Sequence, residues 1–519
     1  MTAVPTTLAT ATAQPLAQPL AQTFGQTFAQ PPLSTGTRLA YGFGSIAYGI
    51  KESGFSTLLL LYYNQVVGLP AGQVGLAIML ALVIDAFIDP VVGHFSDHLR
   101  SRWGRRHPFM YAAALPVGLL YLLLWNPPQG ASHFATLAYL VAVAVTVRSA
   151  ISCYEVPSSA LAPELTSDYH ERTAVLSLRY LFSWSGGMVM LLLAFGVFLA
   201  PTAEYPHGQL NPAGYRHYAV TASILMTSAI VLSALGTHNR IRFLPKPQGQ
   251  RPPLRRTFHA IFATLKNRAF LTLLTAGTFI FTSQGLTFSL AAYFNSYVWL
   301  FPQSIFVIYT FSVLGGVAVA VVLARVLSWR MDKLRAALLC LSIYPAIACA
   351  PLIGRALGWM PDNGTPLLFP VLMLLTLMAV AFSVTVTILA SSMMADVVED
   401  AQSRTGERRE GLFFAGSFFM QKCVTGIGLF LSGAILTAVG FPAKAEPGRV
   451  AIPVLNNLIV SYCVLVVILA TCGFLVLRRF PLGGHAEHDR RLSEIAAAGM
   501  ILPGSEGEYV PLDIDVGRK

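Results

Sequence analysis

Long apolar runs, one after another, are the feature that most restricts how this chain can fold. About 20 apolar residues suffice to cross a bilayer as an α-helix. Twelve such runs follow in order, at 39–66, 72–96, 108–126, 133–160, 175–200, 218–236, 268–297, 303–327, 335–354, 366–392, 411–440 and 453–477. In water they would need a polar covering that the chain lacks, since 55% of its 519 residues are apolar and only 11% are charged. Ordinary soluble domains are about 25% charged. Soluble domains, disorder, a disulfide scaffold and a coiled coil are thereby excluded. The runs are continuous rather than alternating, which argues against a β-barrel. The expected class is an all-α polytopic membrane protein.

Charge supplies the orientation. With both tails inside, 28 of the 35 Lys and Arg fall on inside segments and four (Arg216, Arg355, Lys444, Arg449) outside. Cytoplasmic loops carry the excess of basic residues, so both termini are expected in the cytoplasm of a cell inner (plasma) membrane protein. The net charge of +11 is then a topology signal and an attraction to anionic lipid, with no nucleic-acid partner implied. The six cysteines lie in or beside apolar runs without metal-ligand spacing. Free thiols are expected, with no resident metal and no cofactor.

The chain divides in two. The basic, Pro-rich stretch HNRIRFLPKPQGQRPPLRR follows the sixth run. SDHLRSRWGRRHP after run two is echoed by RVLSWRMDKLRA after run eight, and ELTSDYHERTAVLSLRY after run four by DVVEDAQSRTGERREG after run ten. Repeated loops at matching positions mark a parallel-repeat transporter with its site between the halves. The expected organisation is a disordered cytoplasmic tail at 1–35, six-helix halves at 36–237 and 268–477, a basic cytoplasmic linker at 238–267, and a second tail at 478–519.

Several motifs lie along these runs: YGFG at 41–44, YYNQVVGL at 62–69, DAFIDPVVG at 85–93, SRWGRRHPF at 101–109, VPSSALAPELTSDYHERT at 156–173 and ADVVEDAQSRTGERREGLFFAGSFFMQK at 395–422. Together they resemble the glycoside–pentoside–hexuronide:cation symporters of the major facilitator superfamily, the melibiose permease group. The resemblance implies twelve transmembrane helices in two pseudo-symmetric six-helix halves. It also implies cation-coupled symport of a sugar or glycoside, a secondary transport activity rather than an enzyme, in a monomer. Lysolipid carriers share parts of the pattern, so a lysolipid or amphiphile carrier stays open, as does a non-transporting membrane sensor.

An ionisable residue inside a membrane is expensive and faces a cavity or a partner. Glu52, Asp85, Asp89, Arg148, Glu155, Arg179 and Lys422 are so placed. Asp85 and Asp89, at i and i+4, share one helix face. Two close carboxylates favour one bound cation or one shared proton. Pro90 follows directly, and a helix break there would free carbonyl oxygens. The resemblance makes Asp85 and Asp89 the coupling-cation carboxylates and Glu155 a residue serving both cation and sugar. It places Arg179 at the sugar and Lys422 near the cation. Lys422 needs a carboxylate, with Asp85, Asp89 and Glu155 as candidates in that order.

Departures from the family pattern matter. The helix-one sugar pair becomes Tyr48 and Gly49, with Lys51 and Glu52 three residues on; these either substitute or pair with each other. The stacking Trp of helix four becomes Ser159. The sodium-binding Asn of helix two becomes Ile88, which favours a proton over sodium as coupling ion. Asp97, Arg102, Arg105 and Arg106, with Asp396, Glu399, Asp400, Arg404, Arg408 and Arg409, form two mixed-charge clusters on the cytoplasmic rim. Such clusters can latch the halves during alternating access. No Walker motif appears, and Ser158 and Ser159 lack a reaction constellation around them, which argues against an ATP-driven pump and a membrane enzyme.

Overall fold

The structure, a computed structural model, describes residues 32–166, 168–244, 254–405 and 410–482. Eleven described helices are long and apolar enough to cross a membrane. They are α2 (Ala71–His98), α3 (His107–Leu124), α4 (His133–Leu165), α5 (Tyr169–Leu193), α6 (Pro212–His238), α7 (Arg268–Tyr293), α8 (Gln303–Arg330), α9 (Lys333–Ala356), α10 (Leu368–Thr405), α11 (Glu410–Ala438) and α12 (Ile452–Leu477). A further span, α1, covers residues 35–67. It is interrupted at Gly44 and Ser45 and contains two π-helical turns, Gly54–Leu58 and Tyr62–Val67. The chain is thus a multi-pass membrane protein. Both ends of the described chain emerge on one face, called here the terminal face; the other is the far face.

Local chemistry sets several helix starts. The side chains of Ser132, Asp168, Asn211 and Asn267 cap α4, α5, α6 and α7 by accepting a backbone N–H two or three residues on. Such caps satisfy donors that lipid cannot. Glycines then let helices approach. A Cβ on Gly433 of α11 would lie 2.2 Å from the Ala71 carbonyl of α2, and one on Gly428 would lie 2.4 Å from the Thr282 carbonyl of α7. Small residues at such crossings are the usual means of close packing in membranes.

Two expectations need correction. α2 runs unbroken through Pro90, because a proline inside a membrane helix removes one hydrogen bond without ending the helix. α10 continues to Thr405, so Asp396, Glu399 and Asp400 sit on a helix rather than in a loop. The linker region contains a helix, Leu254–Ala263. Its Phe258 ring lies 6.3 Å from that of Phe87 on α2, and its Phe262 ring 6.2 Å from that of Phe419 on α11.

The two six-helix groups meet tightly at the far face. Tyr293 Oη donates to Asn64 Oδ1 at 2.9 Å and Tyr297 Oη to Gln65 Oε1 at 3.0 Å. Gln65 Nε2 donates to the Pro442 carbonyl at 3.1 Å, and the Ala445 amide to Gln65 Oε1 at 2.9 Å. Phe195 stacks on Phe306 with centroids 4.8 Å apart. This face is closed.

That closure can be trapped. A Cβ on Gly72 would lie 3.7 Å from Thr437 Cβ, within the disulfide range of about 3.5–4.5 Å. The double variant Gly72→Cys/Thr437→Cys should therefore cross-link under mild oxidant, giving one linked peptide pair by mass spectrometry. The native chain, whose six cysteines are free, serves as control. Failure to recover the linked pair would mean that the far face does not rest closed.

Candidate functional site

Three charge clusters lie at mid-depth, and each is balanced. The central one joins α2, α4 and α11. Arg148 Nη2 lies 3.0 Å from Asp85 Oδ2, and both side chains are 1% exposed. Ser152 Oγ donates to the other Asp85 oxygen at 2.7 Å. Lys422 Nζ reaches across from α11 to Asp85 Oδ2 at 3.0 Å and to Asp89 Oδ2 at 2.5 Å. Two cations thus meet two carboxylates. Asp85 is saturated, whereas Asp89 Oδ1 has no hydrogen-bond partner among the described residues. Asp89 is also the more open carboxylate, with 24% of its side chain exposed.

The second cluster is Glu155 with Arg179. The two form a direct ion pair. Arg179 Nη1 also donates to Ser158 Oγ at 3.0 Å and to Tyr41 Oη at 3.3 Å, while Tyr41 Oη donates to the Ser158 carbonyl at 2.8 Å. Glu155 therefore sits with Arg179 and not with Lys422, because α4 turns it towards α5. The third cluster is local to α1. Lys51 Nζ donates to Glu52 at 2.8 Å and lies 4.2 Å over the Tyr48 ring. Of the two readings for Lys51 and Glu52, mutual pairing is the one observed.

Other expected residues fall elsewhere. Ser159 is exposed and donates to its own helix, at the Val156 carbonyl; its neighbour Ser158 is the serine that meets Arg179. On the rim, Arg106 contacts Asp97 at 2.5 Å and Glu164 at 3.0 Å, Arg105 contacts Glu164 at 2.8 Å, and Lys333 contacts Asp396 at 2.8 Å. These pairs join helices of the same half. Arg102 is exposed beside the Trp103 ring, and Asp400 is buried on α10. Arg408 and Arg409 lie outside the described residues, as does the side chain of Arg404.

Sequence reasoning gave Arg148 no role and overlooked Tyr41 and Glu164. The signal for Arg148 was available: a guanidinium deep in a span demands a carboxylate at its own depth. Glu164 had none, since a Glu near a span end is ordinary.

The central cluster makes a quantitative prediction. Removing one partner of a buried pair costs about 3–5 kcal/mol. Lys422→Ala leaves two carboxylates against Arg148 alone and should lower the melting temperature in detergent by several degrees. Adding Asp89→Asn restores one cation to one carboxylate and should recover most of that loss. Adding Asp85→Asn instead strands Arg148 and should recover less. Equal melting temperatures for the two double variants would refute the assignment of Asp89 as the dispensable partner.

Known proteins frame this geometry. An uncharacterized symporter of Synechocystis sp. is 28% identical over 490 residues, covering 80% of this chain and 87% of that protein. The isoprimeverose transporter of Lactiplantibacillus pentosus is 22% identical over 411 residues, covering 78% and 81%. A crystal structure of a D-xylose-proton symporter superposes with a TM-score of 0.59 at 13% identity, over 86% of this chain and 97% of that one, which establishes the shared fold. The profile of the MFS/sugar transport proteins matches residues 40–484, and the chain belongs to that family.

Proposed function

We infer that the protein is a cation-coupled symporter of a sugar or glycoside that works by alternating access. The observation that carries this reading is the central cluster. It links the two six-helix halves through a single ammonium, Lys422, held between two carboxylates of the other half. Lys422 thus occupies the place a coupling cation would take. A cation arriving at Asp89 competes with it and loosens the link, so cation binding and movement of the halves are coupled. The sugar class is supported by the isoprimeverose transporter among the relatives. The solute space lies beside Glu155, Arg179, Tyr48 and Glu52, towards the terminal face.

The coupling ion we assign is the proton. Asp85 has both oxygens engaged by Arg148, Lys422 and Ser152. Ile88 brings no oxygen, and α2 is unbroken at Pro90. Sodium would find few ligands, whereas a proton needs only the free Asp89 oxygen. By the distribution of basic residues, the terminal face is cytoplasmic. The described state is then closed to the outside.

Vesicle transport tests the reading. Right-side-out vesicles should accumulate a sugar or glycoside under a proton gradient, with little response to sodium at fixed pH and membrane potential. Asp89→Asn should abolish accumulation while leaving solute exchange in place. Accumulation by Asp89→Asn equal to that of the native protein would remove Asp89 from coupling, and strong sodium stimulation would reassign the ion.

A further inference from the structure

Helix α7 carries a stripe that no neighbouring helix fully covers. Gly277, Phe281, Gln284 and Phe288 recur at spacings of four, three and four, so they share one face; all are at least partly exposed, and Phe288 is 37% exposed. The other faces are occupied. Thr282 and Gly285 meet α11, and Thr287 contacts Tyr344 of α9 and Tyr462 of α12, each at 3.1 Å. Towards the far face, α7 packs against the Gly54–Leu58 turn of α1. The stripe therefore faces the space between the halves. Its depth is that of the central cluster, because Gly285 packs on Thr425, three residues from Lys422.

The hydrogen bonds of Gln284 fix its chemistry. Its Nε2 donates to Thr387 Oγ1 at 2.9 Å and to Ser383 Oγ at 3.3 Å on α10. The Thr387 hydroxyl directs its own proton to the Ser383 carbonyl at 3.4 Å, so it accepts from the amide. Both amide donors are committed, and Oε1 has no partner among the described residues. We propose that Gln284, flanked by Phe281 and Phe288 and held by Thr387 and Ser383, is a solute subsite that accepts a hydroxyl proton from an uncharged, polyhydroxylated solute. This rests on the sugar-transport reading and narrows it.

Three features select against an anion. A free carbonyl oxygen welcomes O–H and rejects a carboxylate or sulfonate, which offer only acceptors. Each of the three charge clusters is already balanced, so no surplus cation awaits an anionic solute. The two phenyl rings offer apolar surface to the C–H face of a sugar ring. They lie on the second half, whereas the resemblance placed a stacking Trp on helix four, where this chain has Ser159.

The test is binding calorimetry on the full-length protein in lipid nanodiscs. The panel comprises neutral pentoses, hexoses, their methyl glycosides and disaccharides, the matching uronates, and short alkyl sulfonates. At least one neutral member should bind, and more tightly than every anion. Gln284→Ala should weaken that binder at least tenfold. One monodeoxy analogue should lose as much on the native protein and nothing further on Gln284→Ala, the non-additivity expected of a direct contact. Phe288→Ala leaves the amide network intact and should weaken the same binder several-fold; it serves if Gln284→Ala does not fold. Tighter binding of a uronate or sulfonate, no binding by any neutral member, or unchanged affinity in both variants would overturn the subsite. Proton uptake by vesicles on adding each panel member separates the two readings. Uptake with an anion alone leaves symport standing without the subsite, and uptake with none removes proton symport.

Discussion

The ammonium of Lys422 between Asp85 and Asp89 is the contact on which the rest of this structure depends. A charge placed at mid-bilayer is tolerated only with a partner or water. Here two cations and two carboxylates from α2, α4 and α11 are chained by ion pairs of 2.5–3.0 Å, Arg148 to Asp85 and Lys422 to both Asp85 and Asp89. Arg148 and Asp85 are sealed, which fixes α4 against α2. Lys422 and Asp89 are partly open, which leaves α11 tied to α2 by the more accessible half of the cluster. Glycines at 72, 75 and 433 bring the same two helices together nearer the far face. Without that approach the lysine would not span the gap.

Much of this was legible in the residues. The spans announce themselves, because nothing but apolar runs of about 20 residues can cross lipid. Asp85, Asp89 and Lys422 stood out because ionisable groups there are rare and need partners. Pairing, however, depends on which way each helix is turned, and the sequence carries that only through packing. Glu155 stood third among the candidates for Lys422, and α4 presents it to Arg179 instead. Ser158 and Ser159 are neighbours, and only the first meets Arg179. The helix at Leu254–Ala263 was hidden for another reason. Its Pro-rich, basic surroundings read as linker, and its aromatic side chains gain a role only once Phe87 and Phe419 stand beside them.

The seam between the halves uses two different chemistries. At the far face it is neutral: tyrosines, two amide side chains, backbone groups and stacked phenyl rings. At mid-depth it is ionic. On the terminal face the described ion pairs stay within one half. Neutral hydrogen bonds contribute about 0.5–1.5 kcal/mol each when water can replace them. A seam of that kind opens to water without stranding a charge. It suits an end of the molecule that must be wet in one state and dry in the other.

The ionic contact is suited to the opposite requirement. Pulling Lys422 from both carboxylates in a dry cavity would leave uncompensated charge, a penalty far above that of any single far-face bond. Separation becomes affordable only when something else neutralises Asp89. A proton on its free oxygen does so directly, after which Asp85, Arg148 and Lys422 carry one positive charge that the open cavity can solvate. In the proposed cycle, then, the far-face bonds set how readily the halves part, and the state of Asp89 decides when they do. A neutral solute at Gln284 fits this scheme because it adds no charge of its own. It lets the cluster respond to the coupling ion alone.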